Sequence, residues 1–149
     1  MKKAFTMIEL VLVIAVIGIL SAVAIPRMAP IIGDAKDTKA KATLSSVRTA
    51  IATERQKQIL QGIFTGITSL RGSGSGVFST FNDANGSRVL EYDVTPCDNN
   101  GSARCWQVDL SDPGVKYTYK IGSKTCYFEL ENNKFVDKTT SGGCTEITQ

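Results

Sequence analysis

The residues able to do chemistry are few, and their positions are informative. Glu9 stands alone as a charge inside a long apolar run. An ionised carboxylate at membrane depth costs several kcal/mol, so such a residue is read as functional. Four cysteines follow far downstream, at Cys97, Cys105, Cys126 and Cys144. An even number in an exported domain reads as disulfides, and the competing reading is buried thiols in a reducing compartment. The N-terminus, described next, points to export and so to disulfides. The chain has no histidine, which removes the usual general base and the commonest metal ligand. Asp93, Asp98, Asp109 and Asp112 lack the spacing of a paired-carboxylate site and read as solvated surface. A nucleophilic cysteine would lack its ordinary base. No enzyme, metal or cofactor is expected.

The chain has 149 residues, enough for one domain with a modest core. Seventeen basic against 14 acidic residues leave a net charge of +3, too weak to indicate nucleic acid as the main partner. Residues Phe5–Ile25 form the apolar run. At about 1.5 Å per residue it spans roughly 31 Å, the thickness of a bilayer core. Lys2 and Lys3 precede it, so the positive-inside rule keeps the N-terminus cytoplasmic and sends the rest across. A plain signal anchor fits this pattern. A cleaved secretory signal also fits, with Ala22-Val23-Ala24 as its cleavage site. Neither requires Glu9.

The stretch Lys2-Lys3-Ala4-Phe5-Thr6-Met7-Ile8-Glu9, followed by Leu10–Ile25, resembles the N-terminal signature of type IV pilins and type II secretion pseudopilins. The likeness covers about the first 30 residues; beyond them it is architectural. It implies a four-residue leader, removed between Ala4 and Phe5 by a membrane prepilin peptidase that then methylates the Phe5 amine. Ala4 replaces the usual glycine and Met7 the usual leucine. Loss of Lys2 and Lys3 leaves 15 basic against 14 acidic residues, a near-neutrality suited to lateral packing. In a filament of such chains the Phe5 amine of one subunit meets the Glu9 carboxylate of another. A buried pair is weak glue, but an unpaired charge penalises misregistry. Gly18 and Pro26 also match the family, and both weaken the helix, allowing it to bend or melt locally during packing.

The segment from Asp34 to Gln61 reads as a continuing helix, with Ala40, Leu44, Val47 and Ile51 on one face and Gly62 as terminator. Asp37, Lys41, Arg48 and Arg55 lie off that stripe. Residues 63–104 read as loop, including the Gly/Ser run Arg71–Gly76, which lacks the lysine and following helix of a phosphate loop. Strands are expected at Cys105–Leu110, Val115–Ile121 and Thr125–Leu130, joined by turns at 111–114 and at Gly122-Ser123. With Leu110 facing Val115 and Ile121 facing Lys124, Trp106, Val108, Leu110, Val115, Tyr117, Tyr119, Cys126, Phe128 and Leu130 share one face. Gln107, Asp109, Lys116, Thr118, Lys120, Tyr127 and Glu129 share the other. That agreement predicts an antiparallel meander whose apolar face packs on the helix stripe. Lys134–Asp137 is a candidate fourth strand after an Asn132-Asn133 turn. Cys105 and Cys126 point to opposite faces, so they are not expected to pair. Two connectivities remain; the shorter loops, Cys97–Cys105 and Cys126–Cys144, are preferred. The second would staple the tail to the sheet, as in the C-terminal region of many type IV pilins.

The expected fold is therefore α+β and pilin-like: a long N-terminal helix on a sheet of three to four antiparallel strands. Its parts are a leader at 1–4, a membrane and filament-core helix at 5–25, and an exported domain at 26–149. That domain comprises helix to about 62, loop 63–104, sheet 105–137 and tail 138–149. The implied function is a structural subunit of a type IV pilus or related pseudopilus. Its implied partners are other pilins, prepilin peptidase, an inner-membrane assembly platform and membrane lipid. It would sit in the bacterial inner membrane first, then in a periplasmic or cell-surface filament. The competing reading is a membrane-anchored or secreted binding protein outside any filament. The tail lacks the acidic calcium loop of major secretion pseudopilins, which favours a type IV pilin or a competence pseudopilin. Contact with DNA through Arg71, Arg88, Arg104, Lys116, Lys120 and Lys124 is a weak expectation, since scattered cations on a sheet usually only solubilise.

Overall fold

The computed structural model describes residues 5–71, 76–81, 86–97, 104–109, 115–140 and 144–148. Two compact units divide it, Met1–Ala35 and Lys36–Gln149. One helix, α1 (Met7–Leu60), contributes to both. It stays helical through Gly18, Pro26 and Pro30. A proline has no N–H, so the carbonyls of Ala22 and of Pro26 itself lose their ladder donors.

The end of α1 follows from one residue. Gly62 adopts φ 75°, in the left-handed region that glycine enters without steric cost. Its N–H bonds to the Ile59 carbonyl, and the Ile63 N–H bonds back to Gln58 at 2.8 Å. These two bonds make a Schellman cap. No atom would obstruct a Cβ at Gly62, so alanine there would suffer only from backbone strain. Gly62→Ala should destabilise the folded chain by about 1 kcal/mol. Denaturant unfolding in detergent measures this, and an unchanged midpoint would remove the cap from the argument.

The sheet is a meander of β1 (Trp106–Asp109), β2 (Lys116–Ile121), β3 (Lys124–Glu131) and β4 (Lys134–Asp137), in that spatial order and antiparallel throughout. Trp106 faces Tyr119, Val108 faces Tyr117, Tyr119 faces Cys126 and Tyr117 faces Phe128, the register the alternation predicts. The expected pairing of Leu110 and the turn at 111–114 lie outside the described residues. The β2–β3 turn has a positive φ at Gly122 and not at Ser123, the pattern of a type II′ turn. Asn132 and Asn133 are both positive, at 49° and 61°, as a type I′ turn requires. Asn133 does a second job, its Oδ1 accepting the Ile67 N–H at 2.7 Å.

The core joins three sources. The helix gives Ala40, Leu44, Val47 and Ile51, and the sheet gives Trp106, Tyr117, Tyr119, Cys126, Phe128 and Phe135. The third source adds to the sequence reading: the segment read as loop has no helix or strand among its described residues, yet it buries Ile67, Leu70, Val77, Phe78, Phe81 and Val89 in the same cluster. Phe78 is fully buried and lies 5.1 Å from Trp106, 5.2 Å from Tyr117 and 5.7 Å from Phe135, ring centre to ring centre. Such aromatic contacts add to plain burial. The segment's backbone is anchored where it passes the core: Leu70 N–H donates to the Tyr117 hydroxyl at 2.8 Å, and Val77 N–H to the Val94 carbonyl at 2.9 Å. Gly76 is required there, because a Cβ would lie 2.8 Å from that of Asp93.

Candidate functional site

Thr6 precedes the first helical residue, and Glu9 is the third residue of α1. The Thr6 N–H donates to Glu9 Oε2 at 3.0 Å and the Thr6 hydroxyl to the same oxygen at 2.8 Å. In the other direction the Glu9 N–H reaches Thr6 Oγ1 at 3.3 Å. This is a capping box, which satisfies donors that a helix start otherwise leaves open. In apolar surroundings the same bonds offset part of the cost of the carboxylate. Sequence reasoning singled out Glu9 and passed over Thr6, although Thr-x-x-Glu is itself a helix-start signature.

From Phe5 to Ile25 every large apolar side chain is exposed. A helix apolar on all sides with nothing folded over it needs lipid or other helices around it. It is the one described helix long and apolar enough to cross a membrane. A Cβ at Gly18 would meet nothing within 4 Å. Ala4 lies outside the described residues, so the junction with Phe5 has no geometry here.

In the second unit the cysteines pair as Cys97–Cys105 and Cys126–Cys144. The latter bond is fully buried and ties the short helix α2 (Thr145–Thr148) to β3, with Ile147 in the core. Of the off-stripe helix residues, Arg48 donates to the Phe135 carbonyl at 3.2 Å. Asp37 lies 3.5 Å from Arg104 and accepts the Tyr119 hydroxyl at 3.2 Å. Burial first, and the Asp37 carboxylate second, push the Tyr119 phenol well above its ordinary range, so it stays a neutral donor.

Comparison with known proteins adds to this geometry. The prokaryotic N-terminal methylation motif matches residues 1–25. A fimbrial protein of Pseudomonas aeruginosa is 33% identical over 115 residues, covering 68% of this chain and 73% of the relative. The chain belongs to the type IV pilin family. A fimbrial protein of Moraxella nonliquefaciens is 44% identical over 55 residues, covering 37% of this chain and 36% of the relative. The type IV narrow pilus major component of Thermus thermophilus is 46% identical over 59 residues, covering 38% and 51%. The matched stretch thus spans between about a third and about half of those two relatives. No solved structure matches.

The candidate DNA-contacting cations look different in this fold. Arg88 pairs with Asp93 at 3.1 Å, Arg104 with Asp37, and Lys124 with Glu146 at 3.2 Å. Lys116 stands opposite Asp109 across β1 and β2. Among the described residues, these four of the six cations stand beside carboxylates and not on a single-signed surface of the kind that phosphate binding uses. Asp93 is exposed, in line with the sequence reading, and pairs with Arg88 at the surface, while Asp98 and Asp112 lie outside the described residues. Among the described residues no cluster of acidic or cysteine side chains could hold a metal ion.

Proposed function

We propose that the protein is a structural subunit of a type IV pilus, cut between Ala4 and Phe5, methylated on the Phe5 amine and assembled through α1. The observation that carries this reading is a capped carboxylate at the start of a helix whose apolar run, Phe5–Ile25, is uncovered on all sides. A lipid anchor has no use for such a carboxylate, whereas a bundle of helices can use it to set register. The chain waits as a single-pass protein of the bacterial inner membrane, N-terminus in the cytoplasm, and then enters a surface filament. Prepilin peptidase, the inner-membrane assembly platform, membrane lipid and other pilins are its partners. Gly18 and the two prolines let α1 adapt as it leaves the bilayer.

Intact-mass measurement of the filament form tests this. The expected mass is that of residues 5–149 with one added methyl group and two disulfides. A mass starting at Met1 or at Ile25 would defeat the reading and favour an anchored or secreted binding protein.

A further inference from the structure

A filament built from one kind of subunit by head-to-tail contacts needs two different surfaces that fit each other. Outside Phe5–Ile25, the exposed large apolar residues among the described ones are Met28, Ile31, Ile32, Ile59, Leu60, Ile63, Phe64, Tyr92 and Tyr127. Seven of these nine fall into two groups. Met28, Ile31 and Ile32 are spaced three and four apart, so they form one stripe on a helix. That stripe lies beyond Arg27 and beyond the length a bilayer core covers. Ile59, Leu60, Ile63 and Phe64 surround the Gly62 cap, with Leu60 85% and Phe64 75% exposed.

The second group is held rigidly. Arg55 donates to the Thr65 carbonyl at 2.9 Å, to the Phe64 carbonyl at 3.4 Å and to the Ile63 carbonyl at 3.5 Å. A side chain spent on fixing an exposed apolar loop makes sense if that loop docks, because ordering before contact removes an entropic cost of binding. Exposed apolar groups of this kind mark interaction sites, and a central aromatic is the usual anchor. A two-fold pairing of either group with itself would close on itself and not propagate a filament.

We infer that Ile59, Leu60, Ile63 and Phe64 of one copy dock on Met28, Ile31 and Ile32 of a second copy of this chain, with Phe64 as the anchor. This rests on the filament reading but can fail while that reading stands. Two tests separate the cases, both run beside cells that produce the wild-type chain. Phe64→Glu should weaken subunit addition about thirtyfold, leaving few filaments at normal membrane levels, while Phe64→Leu assembles. Wild-type filament numbers with Phe64→Glu would overturn the inference and leave the pilus reading intact. Absence of filaments from the wild-type chain would instead defeat the pilus reading. In the second test, subunits carrying Leu60→Cys and subunits carrying Ile31→Cys are produced together and treated with a short bismaleimide. Linked dimers should form in the mixture at about ten times the level seen with either variant alone. Equal linking by Leu60→Cys alone would mean that the patch meets itself. Free labelling of Ile31→Cys in sheared filaments would mean that lipid, not protein, had covered the stripe. Either result overturns the docking.

Discussion

Glu9→Gln should give normal membrane levels, cleavage at Phe5 and few or no filaments. The amide keeps the size of the side chain, and its oxygen can still accept the Thr6 N–H and hydroxyl that now bond Oε2. The helix start therefore survives, and the lone subunit is no less stable in the bilayer, since an amide costs less to bury than a carboxylate. Assembly is different. The amine of a neighbouring Phe5 would lie in a dry bundle without its counter-charge, a loss of about 3–5 kcal/mol. That is more than a hundredfold in subunit addition. Electron microscopy counts the filaments and immunoblotting gives the membrane level. Thr6→Ala provides the partner experiment. It keeps the charge but removes one bond that aims it, so assembly should fall less than in Glu9→Gln. Wild-type filament numbers with Glu9→Gln would show the charge to be dispensable, and the register argument would go with it.

Removing the Cys126–Cys144 bond should be the most damaging change in the second unit. In the chain-entropy account, cross-linking across an 18-residue separation contributes about 3 kcal/mol. Both half-cystines are fully buried, and the bond carries α2 and the buried Ile147 with it. The paired substitution Cys126→Ala and Cys144→Ala should therefore cost about 3 kcal/mol or more, and protease should reach the tail beyond Asp137 first. Cys97–Cys105 closes a separation of only 8 residues between half-buried partners, so its removal should cost less, about 2.5 kcal/mol. Chemical unfolding of both paired variants compares them directly. An equal or smaller loss at Cys126–Cys144 would mean that the tail adds little to the domain.

Much of this protein is determined by its sequence without reference to tertiary structure. The apolar run, its one carboxylate and its flanking lysines define the membrane segment and the family signature, because length, charge and transfer cost are properties of a segment by itself. The sheet register is local in the same sense. Side chains alternate with a period of two, so a one-residue slip would turn Trp106, Tyr117 and Phe128 towards solvent, and the two-residue turns at Gly122 and Asn132 leave no slack. The helix stripe and the Gly62 stop are equally readable, since each rests on near neighbours.

Other features were decided only by the fold. The segment from Ile67 to Val89 has no period of two or of 3.6, so nothing in its pattern shows that Leu70, Val77 and Phe78 complete the core. The pairing of Arg104 with Asp37, the bond from Arg48 to the Phe135 carbonyl and the clamp of Arg55 over residues 63–65 depend on where the chain returns. The same holds for which apolar residues stay uncovered: Leu60 and Phe64 read as readily for a core as Leu44 and Phe78 do. Hydrophobicity is a property of the residue, but burial is a property of what packs over it, and that is settled only when distant segments have met.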